Sequence, residues 1–169
     1  VPFSYGFGML DMSNVKSIEV LKGAQGTLFG KGAQSGVINV YTKAPTQTFT
    51  NEVSASYSSY NTKKIHGAVS GPTSYEDLTY SFSLTKDSSD GFVRNELTQS
   101  NFDHKDFVSG SAKLRYNPNT PLDISLNYSK SKSDDGGSPF KINTKQNPFS
   151  IDNEPIDEHA KMDIDMLSL

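Results

Sequence analysis

The residues best suited to chemistry in this chain are few and widely spaced. His66, His104 and His159 are its only histidines, and no ligand spacing joins them. Asp152, Glu154, Asp157 and Glu158 form an acidic cluster, but the ordered ligand positions of a calcium loop are absent, so the cluster reads as solvated surface. Asp134-Asp-Gly-Gly137 reads as a loop tip rather than an acid/base pair, and the nominal sequon Asn127-Tyr-Ser129 falls inside a strand-like run. Gly23, Gly26, Gly30, Gly32 and Gly36 raise the possibility of a phosphate loop. A Walker loop needs Gly, four residues, then Gly-Lys-Ser/Thr; here Gly30-Lys31 is followed by Gly32, and Gln25 stands where the first glycine belongs. A dinucleotide fingerprint fails too, with Ser35 at the third glycine site and a strand pattern where a helix should start. There is no cysteine, which removes disulfides, thiolate metal sites and cysteine nucleophiles. The expectation from these residues is a protein that holds neither metal nor cofactor.

The elements that would position these residues are read from hydrophobic periodicity. Two short apolar runs, Ile18-Glu-Val-Leu21 and Val37-Ile-Asn-Val-Tyr41, flank the glycines and predict strands of a small sheet buried on both faces. Past Pro45, Ser, Thr, Asn and Tyr take over and strict two-residue alternation begins. Its apolar sets are Val53, Ala55, Tyr57; Ile65, Gly67, Val69; Leu78, Tyr80, Phe82, Leu84; Val108, Gly110, Ala112, Leu114, Tyr116; Leu122, Ile124, Leu126, Tyr128; and Ala160, Met162, Ile164, Met166. Successive strand side chains point to opposite faces, so each run has one apolar and one polar face. These runs cannot be helices.

A net charge of −3 argues against a nucleic-acid partner. No apolar run approaches the ~18 to 20 residues of a transmembrane helix. A chain only 34% hydrophobic suits a soluble sandwich, yet it also suits a transmembrane β-barrel, whose lumen-facing residues are polar. Connector lengths favour the barrel. Gly71 to Asp77 and Asn117 to Pro121 are short, whereas Asp87 to Asp106 and Ser133 to Glu158 are long and polar, an alternation broken only by the short connector near Tyr60 to Thr62. Tyr80 and Tyr116 lie near the short-turn ends, and Tyr57, Tyr60 and Tyr128 toward the other, as two interfacial girdles would require. Periodicity alone leaves both architectures open. The chain opens at Val1-Pro2 without Met and stops inside an alternating run, so it reads as an internal fragment, and the absence of a leader says nothing of its compartment.

The ordered stretch from Val15 to Lys43, VKSIEVLKGAQGTLFGKGAQSGVINVYTK, resembles the second half of the plug domain of TonB-dependent outer-membrane receptors. That family carries I-E-V-L-[KR]-G-P-Q-G-x-x-[YF]-G, then small residues and G-G-V-I-N-I-x-T-K, just before its first barrel strand. Val1-Pro2 would continue its D-G-V-P segment. Ala24 replaces the usual Pro and Ser35 the first Gly of a pair, changes that alter a turn rather than the role.

The resemblance implies part of a mixed α/β plug over residues 1–46 and the first six or so strands of a mainly-β, 22-stranded transmembrane antiparallel barrel over residues 47–169. In that frame the apolar sets face lipid and the Ser/Thr/Asn sets face the lumen. It implies a receptor and transporter in the outer membrane of a Gram-negative bacterium, in contact with outer-membrane lipid. The receptor would be driven by the TonB energy-transducing complex of the inner membrane, with a ferric siderophore as cargo. Receptors for cobalamin, haem or an oligosaccharide are the alternatives within the family, and a soluble all-β binding module is the alternative outside it. Phe3, Tyr5 and Phe7 would then sit on a plug loop facing outward, as ligand contacts or as rings packed between plug and wall. Lys22 falls where the family places a basic residue that pairs with barrel carboxylates, the other reading being an exposed lysine. Glu19, Gln25 and Lys31 belong to the same plug motif. Gly23, Gly26, Gly30 and Gly36 serve backbone turns that a Cβ would obstruct.

Overall fold

In a computed structural model of the chain, the described residues are 11–23, 36–95, 99, 101, 103–118, 120–136, 150–151 and 159–168. Phe3, Tyr5, Phe7, Gln25, Gly26, Gly30 and Lys31 lie outside them. Contacts divide the chain into two compact units, Asp11–Ala44 and a second whose described part begins at Pro45.

The first unit is a two-stranded antiparallel ribbon of β1 (Val15–Lys22) and β2 (Gly36–Thr42), paired from Lys22↔Gly36 to Val15↔Thr42 with a bulge between Val15 and Ser17. Asp11 starts it by capping a 3₁₀ turn, its carboxylate accepting from Ser13 N–H at 3.0 Å. Ile18, Val20 and Ile38 are exposed, which corrects the expectation of strands buried on both faces. Two strands alone have no second layer against which to bury apolar side chains.

The second unit is a six-stranded antiparallel sheet. Its strands are β3 (Thr50–Ser58), β4 (Thr62–Pro72), β5 (Leu78–Ser89), β7 (Lys105–Tyr116), β8 (Ile124–Gly136) and β10 (His159–Ser168), each hydrogen-bonded to its neighbour in that order. Two further short strands, β6 (Arg94–Asn95) and β9 (Ser150–Ile151), pair in parallel and join the two long connectors. Alternation does not signal a contact of this kind between loops. The tight β3–β4 turn takes Tyr60 and Asn61 into left-handed backbone, at φ 60° and 54°, and Tyr60 packs its ring 5.8 Å from that of Phe92.

Strands run further toward the long connectors than the apolar alternation does. Asp134, Asp135 and Gly136 lie inside β8 rather than in a loop tip, because ladder pairing with β7 and β10 continues through them.

The sheet is inside-out by the standard of a soluble domain. The buried side chains include His66, Thr79, Ser83, Thr85, Ser109, Ser111, Lys113 and Ser133, while Val53, Tyr57, Ile65, Phe82, Leu84, Leu114, Leu126 and Tyr128 are exposed. From β3 to β8 the apolar sets share one face, as alternation requires. The sixth set does not. Met162, Ile164 and Met166 stand opposite Ser133, Ser131 and Ser129 on the polar face, and Lys161, Asp163 and Asp165 stand opposite Asp134, Lys132 and Lys130 on the outer face. This corrects the assignment of that set to lipid. The pairing places carboxylates beside ammonium groups, with Lys130 Nζ 2.8 Å from Asp165 Oδ2 and Lys132 Nζ 3.4 Å from Asp163 Oδ2.

Candidate functional site

The polar face of the six-stranded sheet is the surface that the fold builds with most care. Register aligns Ser54, His66, Thr85, Ser109, Ser131 and Ile164 in one row across all six strands. Neighbouring rows carry Ser83 beside Ser111 and Lys113 between Ser81 and Asn127. Strand alternation delivers these small hydroxyls to one side, and hydroxyl pairs then satisfy one another across the ladder. Ser83 and Ser111 lie 2.8 Å apart, and Ser131 Oγ donates to Ser109 Oγ at 3.0 Å.

His66 is 1% exposed. Its Nδ1 lies 2.8 Å from Thr85 Oγ1, and its Nε2 is buried without a hydrogen-bond partner among the described residues. Asp135 is half satisfied, with Oδ2 accepting from Ser133 Oγ at 2.7 Å and Oδ1 buried and unpartnered. Lys105 Nζ donates to Asp87 Oδ2 at 2.8 Å nearer the long connectors. Burying a polar atom unpaired costs roughly 1–3 kcal/mol, so groups of this kind mark a wall that meets polar material rather than hydrocarbon. Sequence reading placed these hydroxyls on one face and weighed His66 only as a metal ligand; it did not single out Thr85 or Lys113, for which the signal available was their position in the polar register.

Among the described residues, no three His, Asp or Glu side chains gather to hold a metal ion. The Thr85 hydroxyl beside His66 satisfies one ring nitrogen and leaves the other open to a further polar group. This face offers hydroxyls and an imidazole nitrogen for hydrogen bonding.

In the ribbon, Glu19 Oε2 accepts from the Tyr41 phenol at 3.1 Å, tying β1 to β2. That hydrogen bond, with the negative charge of Glu19, raises the Tyr41 pKa above its ordinary value. Lys22 is exposed at the end of β1. Gly23 adopts left-handed backbone at φ +90°. Gly36, at φ +149°, leaves no room for a side chain: a Cβ there would stand 2.6 Å from the Leu21 carbonyl oxygen.

The family model that matches the chain is the TonB-dependent Receptor Plug Domain, over residues 1–37. The chain is 35% identical over 108 residues to the pesticin receptor of Yersinia pestis, covering 63% of this chain and 16% of that protein. It is 30% identical over 129 residues to the ferripyoverdine receptor of Pseudomonas aeruginosa, covering 76% of the chain and 15% of the relative. The chain therefore spans about a sixth of the length of these curated relatives. Among solved structures it resembles the ferric yersiniabactin uptake receptor FyuA of Yersinia pestis, at 31% identity and TM-score 0.67 over 72% of this chain and 20% of that one. It shares the fold of the pyoverdine outer membrane receptor FpvA of Pseudomonas aeruginosa PAO1, at 23% identity and TM-score 0.66 over 75% of this chain and 18% of that one.

Proposed function

The chain belongs to the TonB-dependent receptor family, and from that premise we propose that it is part of an outer-membrane receptor that imports a ferric siderophore. Residues 1–46 supply part of the plug and residues 47–169 supply consecutive barrel strands. The observation that carries the reading is the inverted sheet, with hydroxyls, His66 and Lys113 buried on one face and Val53, Phe82, Leu84 and Leu126 exposed on the other. A soluble sheet needs water on its polar face and a core against its apolar one; a barrel wall needs the reverse.

The resulting mechanism involves no covalent step. The siderophore is captured at the outward end, where Phe3, Tyr5 and Phe7 are the candidate contacts on the plug. The TonB complex then draws on the plug, and the cargo passes a wall of serine, threonine and histidine that exchanges hydrogen bonds without holding it. Lys22 is the candidate anchor between plug and wall, because a lysine in such an interface needs a carboxylate partner. The relatives named for ferripyoverdine and for ferric yersiniabactin uptake support siderophore cargo over cobalamin, haem or an oligosaccharide.

Uptake of a panel of radiolabelled ferric siderophores in iron-starved cells, with and without the gene, tests the reading. Loss of uptake of one siderophore is the expected result, and unchanged uptake of all would overturn it. Tyr5→Ala in the full-length receptor is expected to weaken ligand binding while its abundance in the membrane holds; parallel loss of both would assign Tyr5 to packing.

A further inference from the structure

The stretch that joins the ribbon to the sheet is gripped from both sides. On the ribbon side, Lys43 N–H donates to the Asn14 carbonyl at 2.9 Å. From Thr46 on, the sheet takes over. Thr46 N–H donates to Ser70 Oγ of β4 at 2.8 Å, and Thr46 Oγ1 stands 2.9 Å from the same oxygen. Ser70 Oγ in turn donates to the Tyr80 carbonyl of β5 at 3.0 Å. Its proton therefore goes to β5 while its lone pairs face Thr46, so one hydroxyl joins the linker to two strands. Thr46 Oγ1 also lies 2.8 Å from the Thr48 carbonyl oxygen, which holds the linker in a bend before β3 begins.

A second grip lies on the opposite face. Ser70 shares the polar face with His66, so the next residue, Gly71, faces outward. Phe49 covers it closely: a Cβ at Gly71 would meet Phe49 Cα at 3.2 Å and the ring at 3.3 Å. An aromatic ring laid over a glycine at a sheet edge pins the register there. Between the ribbon's grip and the sheet's grip stand only Ala44 and Pro45, and the division between the two compact units falls between them. Proline fixes its own φ near about −65° and biases the residue before it toward extended backbone, so this joint keeps few free torsions.

We propose that Ser70 and Gly71 are positioning residues that fix the plug's tether to the barrel wall, so that during uptake the plug turns about Ala44 and Pro45 while the segment from Thr46 to Phe49 stays on the wall. A pull carried down an unclamped linker would fall on Thr50↔Ser70, the end pair of the β3–β4 ladder, and open that ladder pair by pair. With the clamp in place the load enters Ser70 and, through the Tyr80 carbonyl, β5 as well, so the β3–β4 and β4–β5 ladders resist it together. Each hydrogen bond is modest alone, and the clamp works by sharing the load among several. The proposal rests on the receptor reading above.

The test uses the full-length receptor in iron-starved cells. Thr46→Cys/Ser70→Cys puts thiols where two side-chain oxygens stand 2.9 Å apart, a placement that a disulfide can bridge. Uptake of the ferric siderophore that the unsubstituted receptor imports is expected to be the same with this pair oxidised and reduced, because the tether stays on the wall throughout. Failure of the pair to cross-link, or loss of uptake on oxidation with recovery on reduction, would overturn the fixed tether. In the purified receptor, Ser70→Ala is expected to speed hydrogen exchange over residues 46–49 by about twofold to tenfold, and unchanged exchange would overturn the clamp. An unsubstituted receptor that imports no ferric siderophore would overturn the receptor reading instead, and the exchange measurement then judges the clamp by itself.

Discussion

The ribbon and the sheet are both antiparallel β-structure, the ribbon written as short apolar runs and the sheet as strict two-residue alternation. In the ribbon, Ile18, Val20 and Ile38 remain exposed, and the order comes from backbone pairing, the Glu19–Tyr41 bond and one glycine contact. In the sheet, the alternation sorts chemistry between two environments, and the polar side is the one that is buried. Alternation thus reports that two faces differ; it does not report which of them is the inside.

The sharpest way to break this contrast is to place a charge on the outer face. Leu126→Arg is expected to destabilise the folded receptor by about 2–4 kcal/mol, and Asn127→Arg, one residue on and facing the other way, by far less. Refolding from urea into lipid vesicles measures both, and equal effects would mean that the outer face does not meet hydrocarbon. In the ribbon the vulnerable position is Gly36. Gly36→Val forces a side chain against the Leu21 carbonyl in a backbone conformation that side chains rarely adopt, an expected loss of about 1–3 kcal/mol. Hydrogen exchange should rise in β1 and β2 and stay unchanged in β5 and β7.

A smaller effect is expected on the polar face. Ser83→Ala removes one partner of the Ser83–Ser111 pair and should cost about 1 kcal/mol, whereas Ser83→Ala/Ser111→Ala, which removes both, should cost less than twice that. The smallest effect lies in the β7–β8 connector. Arg115 donates to both oxygens of Asp123, at 2.9 and 2.6 Å, and this hydrogen bonding holds the Asp123 carboxyl below its usual range. A depressed carboxylate pKa adds stability above the unfolded value and loses it as pH falls through the folded one. The stability gap between the native chain and Asp123→Asn should therefore be present at neutral pH, close only in acid, and shrink with salt because the pair is exposed.

How much of this could be read from sequence follows the same division. The runs of β3, β4, β5, β7 and β8 were legible because each offers one apolar and one polar set, and short turns fix the register of the β3–β4, β4–β5 and β7–β8 hairpins. β10 was legible as a strand but its orientation was not. It reaches β8 across a long connector, so pairing rather than a turn fixes its register, and Asp163 and Asp165 meet Lys132 and Lys130 on the outside, leaving Met162, Ile164 and Met166 within. The β6–β9 bridge was invisible because a two-residue parallel contact has no periodicity to detect. The plug motif was legible as ordered glycines and apolar runs. Gly36 shows what one of those glycines does, whereas the wall residues His66 and Lys113 carry no motif.

The order of the sheet leaves β3 and β10 at its two flanks, each with one side of its backbone unpaired within the described residues. In hydrocarbon every unpaired amide and carbonyl costs several kcal/mol. In the barrel proposed above neither flank can meet lipid alone, so each needs a further strand beside it before this sheet can face hydrocarbon.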